Sequence, residues 1–244
     1  MKLKPRVALL LSIAVSLITV AASAFELSPM EQEFGNRPEQ SSRTFYVINE
    51  DSVAVAVQLK AVARTNRTDG SEIRTPTNDF VIYPQQVMLG PNEKRAVRVT
   101  YRGAKPHGRE ASYRLIAEQL PVNAATVNSS GNVQIKYLMN FVASMYVSPE
   151  GVQPKVTVES LSSFNSAQGQ ILQMNLVNNG GRHKVLKGVK VILRSGQTEV
   201  ELDPQSLKAL DTINLLAGEK ISVGVPYPTN LPAGPVIAEL QFLD

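Results

Sequence analysis

The chain of 244 residues contains no cysteine and no tryptophan, and only two histidines, His107 and His183. Without cysteine there is no disulfide, no thiolate nucleophile and no thiolate metal site, so a fold in an oxidising compartment rests on apolar cores alone. His107 lies between Pro106 and Gly108, and His183 between Arg182 and Lys184, so both are expected in solvated loops. No H-E-x-x-H, G-x-S-x-G, P-loop or G-x-G-x-x-G occurs. The carboxylates are scattered. No enzymatic activity, metal or cofactor is expected.

An excess of charge of one sign is also lacking once the N-terminus is considered. Lys2, Lys4 and Arg6 precede an apolar run from Val7 to Ala22 that ends in Ala-Ala-Ser-Ala. This is the three-part pattern of a secretory signal, and the run is shorter than the roughly 20 residues of a membrane span. Cleavage is expected after Ala24, which leaves 220 residues beginning at Phe25. Loss of three basic and no acidic residues brings the formal charge from +4 to +1. No general case for binding nucleic acid or an anionic membrane survives that change. Export to the periplasm is the expected location.

What the chain has instead is alternation. Val133 to Val147 reads V-Q-I-K-Y-L-M-N-F-V-A-S-M-Y-V, with every odd position apolar. A period of two sustained over 15 residues is a strand much longer than the usual ~5–6. Its odd row either fills the protein's own core or is partly kept for another chain. Shorter strands are expected at 25–34, 44–49, 53–63, 80–83, 86–89, 95–101 and 112–120, with Arg64 to Asn78 a polar connecting stretch that carries the turn signal Asp69-Gly70. After Ser148-Pro149-Glu150-Gly151 the same grammar resumes, with strands at 155–159, 171–178, 185–193, 198–202, 220–226 and 236–242. A single helical turn is possible at 205–210. Many short strands between turn signals, without a long amphipathic helix, predict an all-β chain of two immunoglobulin-like sandwiches in tandem. The expected units are 1–24 (signal), 25–148 and 149–244.

The first unit also carries an ordered set of motifs. Val47-x-Asn49 is followed by Phe80-x-x-x-Pro84, Leu89-Gly90-Pro91, Arg98-Val99, Glu110-x-x-Tyr113-Arg114-Leu115 and Gln119-Leu120-Pro121, then the long strand and Pro149. In this order the chain resembles the PapD-like periplasmic pilus chaperones of the chaperone–usher pathway. The second unit resembles them more loosely, through Leu176-Val177-Asn178-Asn179-Gly180 and Leu216-Ala217-Gly218. The resemblance implies a non-enzymatic protein. It would bind pilin subunits by lending a strand to complete their sandwich, a form of β-strand addition, and deliver them to an outer-membrane usher.

The donor positions implied are Ile135, Tyr137, Met139 and Phe141, with Leu138 and Val142 turned to the protein's own core. Self-association through the same strand is also implied. Many members hold the subunit's terminal carboxylate with two basic residues. At the matching places this chain has Glu31 and, less directly, Ser144, and Tyr113-Arg114 resembles the divergent archaic and alternative branches. Arg114 and Lys136 are therefore the candidate anchors, with a solvated strand face as the other reading. Arg98 and Glu110 match a family pair expected to be a structural ion link. The alternative function is a secreted structural or adhesive sandwich, such as a surface subunit.

Overall fold

The computed structural model describes residues 25–35, 37–121, 138–167, 169–232 and 234–242. The expected signal and cleavage site, and Ile135, Lys136 and Tyr137, lie outside the described residues. The first unit contains β1 (Phe25–Ser28), β2 (Glu31–Gly35), β3 (Ser42–Asn49), β4 (Val55–Asn66), β5 (Glu72–Pro76), β6 (Phe80–Tyr83), β7 (Gln86–Leu89), β8 (Lys94–Tyr101), β9 (Ala111–Leu120) and β10 (Asn140–Ser148). One sheet runs β1-β3-β8-β6. The other runs β2-β10-β9-β4-β5, with β7 also paired to β4. The facing rows, among them Leu27, Phe45, Val47, Val57, Leu59, Val97, Leu115 and Met145, are buried in one core. Each such side chain contributes about 1.5–3 kcal/mol of burial.

The second unit contains β11 (Val156–Ser166), β12 (Gly169–Asn178), β13 (Lys184–Val185), β14 (Lys190–Ser195), β15 (Thr198–Glu201), β16 (Asn214–Leu215), β17 (Lys220–Pro226) and β18 (Ile237–Gln241). Its sheets run β11-β12-β17, β13-β16 and β15-β14-β18. A separate core gathers Leu172, Met174, Leu176, Leu186, Leu193 and Leu210. The expected turn at 205–210 is a 3-10 helix over Pro204–Thr212, started by Asp203, whose side chain accepts from the Gln205 N–H.

The two units share one loop-pinning device. Asn49 and Asn178 stand at the ends of corresponding strands and both are buried. Asn49 Nδ2 donates to the carbonyls of Val53 and Gly90, and its Oδ1 accepts from Asp51 N. Asn178 Nδ2 donates to the carbonyls of Arg182 and Leu215, and its Oδ1 accepts from Lys155 N and Gly180 N. A buried amide with its hydrogen bonds satisfied ties several turns to one point. Beside it, an added Cβ on Gly180 would stand 2.3 Å from Lys155 N and 2.4 Å from the Gln153 carbonyl oxygen. Both neighbours are backbone, so Gly180→Ala is expected to destabilise the protein by about 1–3 kcal/mol, read by thermal unfolding. An unchanged melting temperature would mean the turn relaxes freely.

The polar connecting stretch expected after residue 63 is a hairpin. β4 runs on to Asn66 and returns as β5, turning at Asp69-Gly70, where Gly70 has φ +84° and Asp69 Oδ1 accepts from Ser71 N. Its sequence is polar because the hairpin projects beyond its own core to the second unit. Ser222 N donates to the Thr68 carbonyl at 2.8 Å, and Asn66 N to Glu219 Oε1 at 2.9 Å.

Candidate functional site

Strand β10 is the described end of the long alternating stretch. β9 pairs along it from Asn140 to Val147. On its other edge β2 pairs in parallel only from Ser144, with Ser144 N donating to the Met30 carbonyl. Among the described strands, none pairs with that edge over Asn140–Ala143. An unpaired edge of backbone donors and acceptors is a template for another strand.

The odd row of the strand divides at Phe141. Ala143, Met145 and Val147 lie fully in the core, so this part of the row serves the protein itself. Phe141 is half-buried and its ring stands edge-on to Phe25, centroids 4.9 Å apart. Met139 is 36% exposed, past the sandwich rim. Leu138, expected in the core, is 51% exposed, and Val142 is half-buried opposite Ile116 on the outer face. The reason is register: with Met145 and Val147 in the core, period-two alternation puts Val142 on the opposite face, and Leu138 lies before the strand begins.

At the C-terminal end of β10 the two units meet. Glu110, just before β9, has a fully buried carboxylate. Its Oε2 accepts from Ser148 Oγ at 2.7 Å, and its Oε1 lies 2.7 Å from His183 Nδ1. The Tyr146 ring stacks on the His183 ring, centroids 3.9 Å apart, and Asn214 Nδ2 donates to Tyr146 Oη at 2.6 Å. Arg182 pairs with Glu33, and Glu110 N donates to the Gly181 carbonyl. His183 is therefore an interface residue and not the solvated loop histidine expected. The expected Arg98–Glu110 link is not formed. Arg98 Nε donates to Ser42 Oγ at 3.0 Å on the exposed side of the β1-β3-β8-β6 sheet, whereas Glu110 enters the opposite sheet at the junction.

Arg114 lies on the outer face of β9 and is engaged. Its Nε and Nη2 donate to Glu72 Oε2 at 3.0 and 2.6 Å, and its Nη1 donates to Ser144 Oγ at 2.5 Å. Arg74 Nε donates to the other Glu72 oxygen at 2.5 Å. Sequence reasoning missed the third guanidinium, Arg64, placed in an expected polar connection but held on β4. Arg64 is 8% exposed. Its Nε lies 2.9 Å from Glu72 Oε2, an ionic contact without hydrogen-bond geometry, and its Nη1 has no hydrogen-bond partner among the described residues. Burial first, then the Arg114 charge, push the Arg64 guanidinium below its ordinary value. Burial opposes ionisation of Glu72, but hydrogen bonds from Arg114 and Arg74 and the charges of Arg114 and Arg64 outweigh it and hold the carboxyl below the usual range. Burial pushes the nearby Glu219 carboxyl up, against hydrogen bonds from Asn66. Three guanidiniums thus contact Glu72, and Arg64 also acts on the Glu219 carboxyl, so this group of side chains holds three positive and two negative charges. Arg64 also lines a cavity of about 280 Å³ between the β4–β5 hairpin and the second unit, where Arg67 and Lys220 outnumber the one lining carboxylate, Asp69. Such a site suits a carboxylate or another small oxyanion.

Comparison with solved structures finds the same fold. A chain of the CsuC–CsuE complex, a chaperone with a tip adhesion subunit of the archaic Csu pili of Acinetobacter baumannii, is similar at 17% identity, with a TM-score of 0.59 over 90% of this chain and 97% of the other. The class 5 fimbriae chaperone CfaA is similar at 13% identity, with a TM-score of 0.56 over 90% of this chain and all of the other. A chain of a chaperone–tip adhesin complex of CFA/I fimbriae biogenesis gives 16% and 0.55, over 90% and 99%. No curated protein sequence gives a significant match. Residues 36–153 match the family model described as pili and flagellar-assembly chaperone, PapD N-terminal domain. The first unit is therefore a PapD-type N-terminal domain of the pili and flagellar-assembly chaperones, set on a second sandwich.

Proposed function

We propose that the protein is a periplasmic chaperone that captures pilus subunits by donor-strand complementation and delivers them to an outer-membrane usher. The units are taken as 25–148 and 149–244, with 1–24 removed on export. The observation that carries this reading is the edge of β10, unpaired before Ser144 among the described strands, along which an apolar row leaves the core through Phe141 to Met139. The sequence continues that row through Tyr137 to Ile135. Backbone pairing along the edge supplies affinity, and alternate side chains entering the subunit's groove supply fit. The same open edge supports self-association of the free protein.

Arg114, with Arg64 beside it, takes the role of carboxylate anchor, and Lys136 remains a second candidate. A subunit whose last strand lies in the junction presents its terminal carboxylate to a site with excess positive charge, where a bidentate guanidinium contact is strong. Arg114→Gln is expected to weaken capture of a co-expressed pilin at least about tenfold, the scale of one charge-assisted hydrogen bond. The melting temperature changes little, because Glu72 keeps Arg64 and Arg74. Undiminished co-purification would remove Arg114 from the role.

A further inference from the structure

We propose that Glu72 is a built-in stand-in for the ligand carboxylate, so that the site works by exchange of one carboxylate for another. This rests on the reading that the junction binds a carboxylate. One Glu72 oxygen takes the Nε and Nη2 edge of Arg114 and lies against Arg64, and the other is tethered by Arg74. The edge of Arg114 used is the one that makes two parallel bonds to a carboxylate. Glu72 thus holds the best donor pair of the site, while Arg64, whose buried Nη1 has no hydrogen-bond partner among the described residues, lines the cavity.

The position of Glu72 on the molecule suits exchange. It begins β5, an edge strand of its sheet and the return arm of a hairpin whose tip rests on β17. Its outer tether, Arg74, is 42% exposed, so an ion pair there is weak and screened by salt. An incoming carboxylate meets Arg64 first and then competes for Arg114. While Glu72 stays, the newcomer feels a like charge a few ångströms away. Once Glu72 swings out with Arg74, the newcomer inherits both guanidiniums. In the free protein the stand-in cancels charge that would otherwise repel between Arg64 and Arg114, and it lowers affinity for carboxylates that bring no further contacts. A ligand that adds strand pairing and side-chain burial overcomes that penalty, and a free small carboxylate does not.

The test uses the full mature chain, with acetate as the carboxylate probe and acetamide as the uncharged control. Binding is read from the arginine Nε–H NMR signals of Arg64 and Arg114 at constant ionic strength. Glu72→Gln is expected to bind acetate at least about tenfold more tightly than wild type, since one like charge is removed from a partly buried site. Arg74→Ala, which loosens only the outer tether, should strengthen acetate binding by a smaller factor, about threefold. If Glu72→Gln fails to fold, Arg74→Ala decides. A purely structural brace predicts the opposite sign, because arginines without their brace scatter and bind acetate less well. Equal or weaker acetate binding in the folded variants overturns the proposal. Capture of a pilin by the wild-type protein is measured in parallel: its absence sinks the chaperone reading whatever acetate does, and its presence with the wrong acetate sign sinks the exchange alone.

Discussion

Replacing His183 with alanine is expected to cost about 3 kcal/mol of stability and to loosen the two units from each other. Glu110 has no exposed side-chain surface, and the substitution leaves Ser148 as its one side-chain partner among the described residues. Depriving a buried carboxylate of a partner costs roughly 1–3 kcal/mol or more. Loss of the ring stacked on Tyr146 adds about 0.5–1.5 kcal/mol. For a chain of this size each kcal/mol shifts the melting temperature by about 2–4 °C, so a fall of roughly 6–12 °C is expected. Small-angle scattering should show a broader range of angles between the units, because Arg182–Glu33 and the hairpin contacts of Asn66 and Thr68 remain as separate, more exposed ties. An unchanged melting temperature and scattering profile would show that the remaining ties set the arrangement without His183.

Threonine at Ile135 and Tyr137 together is expected to reduce subunit capture at least about a hundredfold while sparing the free protein. Each apolar side chain lost from a groove forfeits about 1.5–3 kcal/mol, and about 1.4 kcal/mol is a factor of ten in affinity. The same row further along must behave differently. Met145 is fully buried between the sheets, so Met145→Ala should cost about 2–5 kcal/mol of stability. Leu138→Ala should leave stability nearly unchanged, since Leu138 is half-exposed. Pull-down of a co-expressed pilin and thermal unfolding, run on all three variants, separate the two halves of the row. Threonine substitutions that unfold the protein, or that leave capture intact, would end the donor-strand reading.

Period-two alternation and turn residues were enough to read the sandwich class and most strands, because each strand's pattern is local to it. The length of the alternating stretch was legible in the same way. Alternation shows that a row shares one face, but not what covers that face. Only the tertiary structure decided that the odd row is core from Ala143 to Val147 and passes the rim beyond Phe141. Phe25 of the facing sheet, which packs on Phe141, and β2, which pairs beside Ser144–Ser148, come from more than 100 residues earlier in the chain. The hairpin at 64–76 reads as a polar connection because its polar residues meet the second unit and not a core of their own. Arg64 was hidden with it, and its tie to Glu72 and Arg114 joins three strands that only the sheet brings together. His183 and Glu110 are 73 residues apart in different units. Burial at that junction, which no local pattern records, turned an expected loop histidine into the partner of a buried carboxylate.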